Sequence, residues 1–303
     1  MIFETPYINS ERHDIIHAHW TFPHGYIGLL LGKELGIPVV ITAHGSDIHT
    51  LPRKNKRVRK LTVAALENVS KAIFVSQRLL QQAKELGYSG KNAVIIPNGA
   101  NTDNFKPMDK EKIRKEFGIY RKNHKYVGFA GNLVHVKRAD KLPEIFHGIS
   151  KIIPNVYFIV VGDGPLKEII EERTKDLKIT FTGRVKPGEV PYYMNAMDVM
   201  VLLSRNEGWP CVVLEAQACG TCVVGSSNGG IPEAIGNGGI VVPDGQNFEE
   251  RFARSVMAML NNPIPSSKLR SRVLMYDWRI IVKKEINIYN EVLSPINRKN
   301  IST

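Results

Sequence analysis

Cysteine, long apolar runs and a leader sequence are scarce in this chain of 303 residues or missing from it. Its three cysteines and the lack of a Cys/His ligand cluster argue against a disulfide scaffold and a structural zinc site. No stretch reaches the ~18 apolar residues of a membrane span, since residues 27–43 are interrupted by Lys33, Glu34 and Pro38. Residues 1–14, MIFETPYINSERHD, lack the basic start and apolar run of a signal peptide. These absences predict a soluble, intracellular protein.

The spacing of Cys219 and Cys222 matches that of a redox-active CxxC pair. The two residues fall where a helix is predicted to end and a strand to begin, whereas a reactive pair normally opens a helix. We therefore do not expect a redox site here.

Positive charge predominates, with a formal net charge of +12 from 41 Lys and Arg against 29 Asp and Glu, which favours anionic partners. The segment PRKNKRVRK (52–60) concentrates six basic residues: Arg53, Lys54, Lys56, Arg57, Arg59 and Lys60. An anionic membrane surface or a phosphate-bearing lipid acceptor is one interpretation of this segment, and a solvated helix face is the other. Nucleic acid is not an expected partner, because no recognised motif or aromatic platform accompanies the charge.

Short β-branched runs alternate with helix-like stretches along the whole chain, which is typical of βα units and parallel sheets. The predicted strands are 14–20, 38–45, 71–76 and 92–99 in the first half, and 125–133, 155–164, 178–185, 198–204, 221–227 and 238–245 in the second. The polar stretch 101–125 between the two sets predicts a linker, with the boundary near Lys106 to Arg121. We therefore predict an α/β protein with two Rossmann-like halves.

The first half has four predicted strands in about 105 residues, fewer than a complete doubly wound half requires. We expect it to lack its opening βα units. A fragment, a mis-assigned start, or a subunit completed by a partner chain would each explain this.

The segment SRNEGWPCVVLEAQACG (204–220) raises the question of what Glu215 binds. Pro210 is placed to open a helix and Gly220 to end it. Most residues around Glu215 are small or apolar, and a buried carboxylate without a partner is costly. A carboxylate suits the vicinal hydroxyls of a ribose. A buried ion pair with an Arg or Lys is the alternative, and the spacing leaves both open.

Ligands of open parallel sheets bind beyond the carboxyl ends of the strands. Glycines near helix N-termini there attract phosphate, and basic side chains beside them would complete a diphosphate site. The candidate positions in the second half are Gly131 with Lys137 and Arg138, the turn 160–165, Gly183 with Val185, and Glu207 with Gly208.

The segment EGWPCVVLEAQACG (207–220) resembles the E-x7-E signature of retaining glycosyltransferases of family 4, which have the GT-B fold. Further blocks occur in the family's order: ITAHGSD (41–47), IIPNGANTDNF (95–105), GFAGNLVHVK (128–137), VVGDGP (160–165), FTGRV (181–185) and SSNGGIPEAI (226–235). The segment HAHWTFPHGYIG (17–28) is similar to that of members that build bacterial surface polysaccharides. The resemblance covers most of the chain.

The resemblance implies three catalytic residues. Glu207 would hold hydroxyls of the donor sugar, Lys137 would contact the diphosphate, and His44 would reach the donor sugar from the first domain across a cleft. From the residues alone, His44 could instead pack or help Ser46 or Asp47 cap a helix, and Lys137 could be a solvated lysine.

The donor-binding set implied by the resemblance surrounds these residues. Glu215 would bind the ribose, Gly183 and Val185 would line the base pocket, and the backbone after Gly208 would fix sugar and phosphate. The complete donor-binding set is Gly131, Asn132, Arg138, Gly183, Val185, Gly208, Trp209, Pro210 and Glu215. Many family members have an arginine at position 132, so the diphosphate clamp would rest on Lys137 and Arg138.

The family's mechanism implies that the acceptor hydroxyl attacks on the face from which the nucleotide leaves, so that the anomeric configuration is retained. The leaving diphosphate would accept the proton, and stabilisation of its developing charge would be the main catalytic contribution. The resemblance implies no cofactor and no metal, and the chain has no DxD motif that would indicate a metal. The implied domains are an N-terminal acceptor-side domain (1–110), a nucleotide-sugar-binding domain (111–275) and a C-terminal helix that crosses back (276–303).

We therefore predict an enzyme, a glycosyltransferase of hexosyltransferase type (EC 2.4), which moves a sugar from a nucleotide-sugar to a surface polysaccharide or lipid-linked glycan precursor. A GT-B epimerase of nucleotide-sugars, and a nucleotide-binding half or regulatory subunit that needs a partner chain, are the alternatives. The expected location is cytoplasmic, with peripheral attachment to the inner face of the membrane as the further hypothesis for residues 52–60.

Overall fold

The computed structural model describes residues 13–294, which belong to two compact units. The first comprises the residues up to Pro97 together with those from Val282 onward, and the second comprises Asn98–Ile281. The predicted limits 1–110, 111–275 and 276–303 differ from this division by several residues and stay a prediction. The leader prediction for residues 1–12, and the ends of the predicted domains within 1–12 and 295–303, lie outside the described residues.

The first unit is built on a four-stranded parallel sheet in the order β1-β2-β3-β4. Its strands are β1 (Ile16–His19), β2 (Val39–Ala43), β3 (Lys71–Phe74) and β4 (Ala93–Ile95). Every residue of β2 is buried, because the strand lies between two neighbours and under helices. The helices are Tyr26–Leu35, Ser46–His49, Leu51–Lys54, Lys56–Asn68 and Gln77–Glu85, with a π-helical turn at Thr21–Gly25. The residues from Val282 of the last helix, Trp278–Leu293, also belong to this unit.

The second unit is built on a six-stranded parallel sheet in the order β10-β9-β8-β5-β6-β7. Its strands are β5 (Lys125–Ala130), β6 (Val156–Val161), β7 (Ile179–Gly183), β8 (Val199–Leu202), β9 (Cys222–Ser226) and β10 (Gly239–Val242). Its helices are Lys110–Glu116, Leu142–Ile152, Lys167–Arg173, Val190–Ala196, Cys211–Ala218, Ile231–Ile235, Phe248–Asn261 and Ser266–Leu274, with two single 3₁₀ turns at His135–Lys137 and Ala139–Lys141.

The core of the second unit lies where helices cover the sheet. The helices Leu142–Ile152 and Phe248–Asn261 pack on each other and on the strands. Phe146 of the first helix stacks on Phe158 of β6 with ring centroids 4.3 Å apart. Because both faces of the central strands are covered, those strands are continuous apolar runs.

All ten strands lie inside the predicted spans, so the two parallel sheets predicted from the sequence are confirmed. The predicted linker is not wholly irregular, since it contains the helix Lys110–Glu116, capped by the Asp109 side chain at 3.0 Å from the Lys112 N–H. Cys219 follows a helix and Cys222 begins β9, as expected, and both thiols are free.

Across residues 13–294, no helix combines the length and apolar character that crossing a membrane requires.

Candidate functional site

The strand order of the second unit places a crevice between β5 and β8. The chain leaves β5 towards β6 on one side and β8 towards β9 on the other, so the loops after these two strands diverge. Such a reversal of strand order is where open α/β sheets bind ligands. The two loops are residues 131–138 and 203–210.

Three glycines let the first loop pack closely on the turn after β6. A Cβ on Gly162 would lie 2.0 Å from the carbonyl oxygen of Gly131, and one on Gly164 would lie 2.6 Å from that of Leu133. The Leu133 N–H donates to the Asp163 carbonyl at 2.9 Å. The two glycines of the VVGDGP block are therefore needed, because a side chain at either position would prevent this close approach of the two backbone segments.

Lys137 and Glu207 join the two loops across the crevice. The Lys137 Nζ lies 2.5 Å from the Glu207 Oε1. The side chains are only 30% and 13% exposed, so a solvated surface lysine, the alternative for Lys137, is wrong. Two residues of the predicted catalytic set are thus in direct contact.

The backbone around Glu207 is fixed from two directions. Its carbonyl oxygen accepts the Gly230 N–H at 2.8 Å, and the Arg205 N–H donates to the Val136 carbonyl at 2.9 Å. Gly229 lies so near that a Cβ there would be 2.1 Å from the Glu207 carbonyl oxygen. The SSNGG segment after β9 therefore positions Glu207.

Glu215 projects from the helix Cys211–Ala218 into a cleft. Pro210 was predicted to be the first residue of this helix, and it is instead the residue immediately before it. The Val213 N–H donates to the Pro210 carbonyl at 3.0 Å. Burial raises the pKa of Glu215 to about 7. No described Lys, Arg or His lies within ion-pair distance of its carboxylate, so the buried ion pair considered for Glu215 is not formed within residues 13–294.

The cleft has a volume of about 360 Å³ and brings together residues predicted from separate motifs. Five of the predicted residues line it: Gly131, Asn132, Lys137, Val185 and Glu215. They come from the loops after β5 and β7 and from the helix after β8. The cleft is thus a candidate site for a ligand that spans all three segments.

Several lining residues were not predicted. Arg184 and Asp163 bring charge to the cleft, and Val190, Met194 and Val212 bring apolar surface. Arg184 is exposed and lies between Gly183 and Val185, which were both predicted. Its position in the FTGRV block could therefore have indicated that it belongs to the site.

Gly183, Gly208, Trp209 and Pro210 of the predicted donor-binding set do not line the cleft formed within residues 13–294. Gly183 has a φ of +66°, and its carbonyl accepts the Gly162 N–H at 2.9 Å. Gly208, Trp209 and Pro210 are buried next to Glu207 in the chain. Their roles in donor binding stay predictions.

Arg138 contacts Asp244 and Phe248. It has a φ of +54°, and its guanidinium forms a two-point ion pair with Asp244 at 2.6 and 3.0 Å and stacks over Phe248. Its side chain is not among those that line the cleft formed within residues 13–294. The geometry supplies a structural role for Arg138 and leaves the diphosphate contact a prediction.

His44 belongs to the first unit and follows β2. Its Nε2 lies 2.9 Å from the Nδ1 of His19, and burial lowers its pKa. The Asp47 carboxylate accepts the backbone N–H groups of His44 and Gly45, which accounts for part of the HGSD block. The catalytic role of His44 stays a prediction.

The basic segment 52–60 is exposed at all six charged positions. Two of them have folding contacts: Arg53 pairs with Glu85 at 2.7 Å, and Arg59 donates to the Leu86 carbonyl at 2.8 Å. The helix of this segment, Lys56–Asn68, is capped by the Asn55 side chain.

The chain resembles known families over most of its length. Residues 109–273 match the family described as glycosyl transferases group 1, and residues 5–104 match glycosyltransferase family 4. The Bacillus subtilis protein TuaC, provisionally named as a glycosyltransferase of teichuronic acid biosynthesis, is 32% identical over 74% of this chain. The N-acetyl-alpha-D-glucosaminyl L-malate synthase of Bacillus anthracis is 31% identical over 75%. The chain spans 55% and 60% of the lengths of these two relatives.

Solved structures share the fold. Anabaena HepE, solved in complex with UDP, has a TM-score of 0.80 at 20% identity, covering 92% of this chain and 79% of that one. Sucrose-phosphate synthase from Thermosynechococcus elongatus has a TM-score of 0.78 at 21% identity, covering 95% of this chain and 75% of that one. The predicted GT-B fold is thereby confirmed.

Proposed function

The chain belongs to the glycosyl transferases group 1 family, and we propose that it transfers a sugar from a nucleotide-sugar to a surface polysaccharide or lipid-linked glycan precursor, with retention of the anomeric configuration. The observation that carries this proposal is the Lys137–Glu207 pair at the strand-order reversal, beside a cleft that contains Glu215. A nucleoside diphosphate requires a cation for its phosphates, a hydrogen-bond acceptor for its ribose hydroxyls and a pocket for its base. Residues suited to these three roles lie at this cleft.

The donor's nucleotide is proposed to lie in the cleft. Glu215 would accept hydrogen bonds from the ribose, because its carboxylate lines the cleft without a cationic partner among the described residues. Val185 and the backbone at Gly183 would contact the base. Lys137 and the exposed Arg184 would meet the diphosphate, whose binding to helix N-termini and cations is favourable.

Glu207 is proposed to hold hydroxyls of the donor sugar. Its carboxylate is bound to Lys137 at 2.5 Å. A bound donor would supply hydroxyls to Glu207 and phosphate oxygens to Lys137. The pair would thus place the scissile bond between its two members.

The transfer step needs no protein base in this proposal. The C1–O bond to the diphosphate breaks as the acceptor oxygen bonds to C1 on the same face. The acceptor's proton passes to the leaving diphosphate oxygen, and Lys137 stabilises the charge that develops there. We propose that no metal and no cofactor is needed.

UDP-sugars are the proposed first donors to test. Anabaena HepE was solved with UDP, and the name of the Bacillus anthracis relative contains an N-acetylglucosaminyl group. We propose UDP-N-acetylglucosamine as the first of the series, ahead of UDP-glucose and the GDP and ADP equivalents.

Calorimetric titration with UDP, GDP and ADP tests the donor site. Binding of one nucleotide that is weakened at least tenfold in Glu215→Gln would support the proposal. If a nucleotide bound the unchanged chain and the Glu215→Gln variant with equal affinity, the proposal would be contradicted. Release of free UDP from the matching UDP-sugar, lost in Glu207→Gln, then tests the reaction, and a change of sugar configuration without release would favour an epimerase.

The segment 52–60 is proposed to meet an anionic membrane surface. Lys54, Lys56, Arg57 and Lys60 are exposed, and no ion pair to another residue within 13–294 is formed by them. Each such residue contributes about 1 kcal/mol near an anionic surface. Peripheral attachment would bring the enzyme to a lipid-linked acceptor.

A further inference from the structure

Arg138 has a backbone conformation that favours glycine. Its φ is +54° and its ψ is +33°, in the left-handed region, which long side chains seldom adopt. Its guanidinium is turned inward, and only 10% of the side chain is exposed. A residue persists in this conformation only where its surroundings hold it there, and such positions cluster at functional sites. The contacts of Arg138 therefore indicate its role.

The guanidinium of Arg138 binds one carboxylate at two points. Its Nη1 lies 2.6 Å from the Asp244 Oδ1 and its Nη2 lies 3.0 Å from the Oδ2, while the group lies 4.7 Å from the centroid of the Phe248 ring. A two-point pair fixes the directions of both side chains, which a lysine ammonium could not do. The bonds from Arg138, with a smaller contribution from Asn228, hold the pKa of Asp244 below its usual value. The carboxylate is therefore ionised at neutral pH.

Asp244 connects Arg138 with two further loops. Its Oδ2 accepts the side-chain amide N–H of Asn228 at 3.0 Å, and the same amide donates to the Ser204 carbonyl at 3.3 Å. The Ser204 carbonyl also accepts the Ser226 hydroxyl at 2.7 Å. The loops after β5, β8, β9 and β10 are thus joined through one carboxylate. We call this chain of bonds the Arg138–Asp244–Asn228 network.

Both ends of the network adjoin the Lys137–Glu207 pair. Arg138 is the residue after Lys137. At the other end, Asn228 stands two residues before Gly230, whose N–H donates to the Glu207 carbonyl at 2.8 Å. A displacement at either end of the network would therefore be transmitted to one member of the pair.

We infer that Arg138 and Asp244 are positioning residues for the proposed transfer reaction. Their ion pair holds the loops that carry Lys137 and Glu207 at the separation that the donor requires. Arg138 acts through Asp244, without contact with the diphosphate. The inference rests on the proposed function, since it assumes that Lys137 and Glu207 meet the donor.

A direct contact between Arg138 and the diphosphate is the alternative. Its side chain does not line the cleft formed within residues 13–294, and its two terminal nitrogens are engaged by Asp244. A diphosphate would have to displace that carboxylate. The two interpretations therefore predict opposite effects of removing the charge of Asp244. Loss of a positioning contact impairs transfer, whereas a guanidinium released for the diphosphate strengthens the binding of UDP.

The test compares Arg138→Gly, Asp244→Asn and the double variant in the full chain. Glycine adopts a φ of +54° without strain, so Arg138→Gly removes the side chain and keeps the backbone conformation. Lys141→Met is the matched control, because it removes the ion pair between Lys141 and Glu249, at 2.9 Å, which lies outside the network. Release of UDP from the UDP-sugar series gives kcat and KM, and calorimetry gives the affinities for UDP and uridine.

A spectroscopic signal reports on the loop that carries Glu207 without any ligand. Trp209 lies two residues after Glu207 and is only 8% exposed, so its indole N–H signal in a ¹H–¹⁵N spectrum depends on the packing of this loop. The chain has three tryptophans, and Trp209→Phe identifies the signal.

We expect kcat to fall at least tenfold in Arg138→Gly and in Asp244→Asn, while UDP affinity changes less than tenfold and uridine affinity is unchanged. The double variant should lose no more than the weaker single variant, within threefold, because both changes remove the same ion pair. The Trp209 signal should shift in both single variants. Lys141→Met should keep kcat and the signal.

Tighter UDP binding in Asp244→Asn, with weaker binding in Arg138→Gly, would overturn the inference in favour of the diphosphate contact. It would also be overturned by full transfer in either single variant, or by losses that multiply in the double variant. If the unchanged chain binds no nucleotide, the proposed function fails and the Trp209 signal alone decides. A shift in both variants and not in Lys141→Met would sustain the network, and an unmoved signal would overturn it.

Discussion

Lys137 Nζ and Glu207 Oε1 lie 2.5 Å apart and connect the loops that follow β5 and β8. These strands are neighbours in the sheet but are separated by more than 60 residues in the sequence. A contact between the two loops is therefore a property of the strand order, and it brings a cation and a carboxylate to the place where ligands bind in such sheets.

Breaking this pair should abolish activity at a modest cost in stability. Lys137→Met leaves a partly buried carboxylate unpaired, and Glu207→Gln leaves an ammonium unpaired, so each should lower the free energy of unfolding by about 1–3 kcal/mol. Transfer should fall at least a hundredfold in both, because each is proposed to touch the donor. Urea unfolding and release of UDP measure the two effects.

Lys141→Met is the matched control for the pair. Lys141 binds Glu249 at 2.9 Å, and its side chain does not line the cleft formed within residues 13–294. It should lose some stability and keep transfer. If Lys137→Met also kept transfer, the proposed role of the pair would be wrong.

Glu215 should make stability depend on pH. Its pKa is raised to about 7 by burial, whereas an unfolded glutamate titrates near 4.3. Between these values the folded state binds more protons than the unfolded state, so stability falls as pH rises from about 4.5 to 7 and then levels off. The loss is at most about 4 kcal/mol.

Glu215→Gln should remove this dependence. The variant should be more stable than the unchanged protein at pH 8 and similar at pH 4.5. UDP binding should weaken at pH 8, where Glu215 is a carboxylate. Glu168→Gln, at an exposed helix position, is the isosteric control and should alter neither. Thermal unfolding across pH 4.5–8 decides between these outcomes, and a pH profile unchanged by Glu215→Gln would assign the titration to another group.

Strand positions could be predicted because buried parallel strands need unbroken apolar runs, such as residues 156–161. The cleft could be predicted in part, since Gly131, Lys137 and Glu215 stand in recognisable blocks. Arg138 could not be judged from its place beside Lys137. Its left-handed backbone directs the side chain to Asp244, more than 100 residues later in the sequence, and this pairing depends on the fold.

The cleft's apolar wall could not be predicted either. Val190 and Met194 lie on one helix and Val212 on another, and each sequence pattern indicates only a buried face. Which buried face borders a cleft depends on how the helices pack on the sheet. The glycines were easier, because a turn that approaches another backbone, as Gly162 approaches Gly131, tolerates no Cβ.

Arg184 should contribute to binding of the diphosphate. It is exposed at the cleft and lies one residue after β7. Arg184→Gln should weaken UDP binding about tenfold, close to 1.4 kcal/mol, and leave uridine binding unchanged. The salt dependence of UDP binding should also decrease, because one cation fewer meets the phosphates.

Lys186→Gln is the control for Arg184, since it removes the same charge from an exposed residue two positions away that does not line the cleft. Calorimetry at two salt concentrations measures the binding of UDP and of uridine to each of the two variants. Equal weakening by both variants would show that Arg184 acts only through the general field of the protein.

The basic segment should bind anionic vesicles without a need for Arg53 and Arg59, which have folding contacts. Changing Lys54, Lys56, Arg57 and Lys60 to Gln removes up to about 4 kcal/mol of attraction, at ~1 kcal/mol each. Co-sedimentation with phosphatidylglycerol vesicles should fall at least a hundredfold. Four exposed lysines elsewhere, changed to Gln together, are the charge-matched control: Lys112, Lys122, Lys175 and Lys268. Equal losses in the two sets would mean that net charge, and no particular surface, determines binding.

Gly229 should prove necessary for activity although it carries no side chain. A Cβ there would lie 2.1 Å from the Glu207 carbonyl oxygen, and its φ of +57° disfavours alanine. Gly229→Ala must therefore displace the loop that holds Glu207, at a cost of about 2–4 kcal/mol from strain and overpacking.

Because the nucleotide is proposed to lie against other segments, UDP affinity in Gly229→Ala should change less than tenfold while transfer falls at least tenfold. Gly188→Ala, where a Cβ meets open space, should alter neither. Parallel losses of UDP binding and transfer in Gly229→Ala would indicate that the whole cleft has moved, and would end the claim that this glycine acts through Glu207.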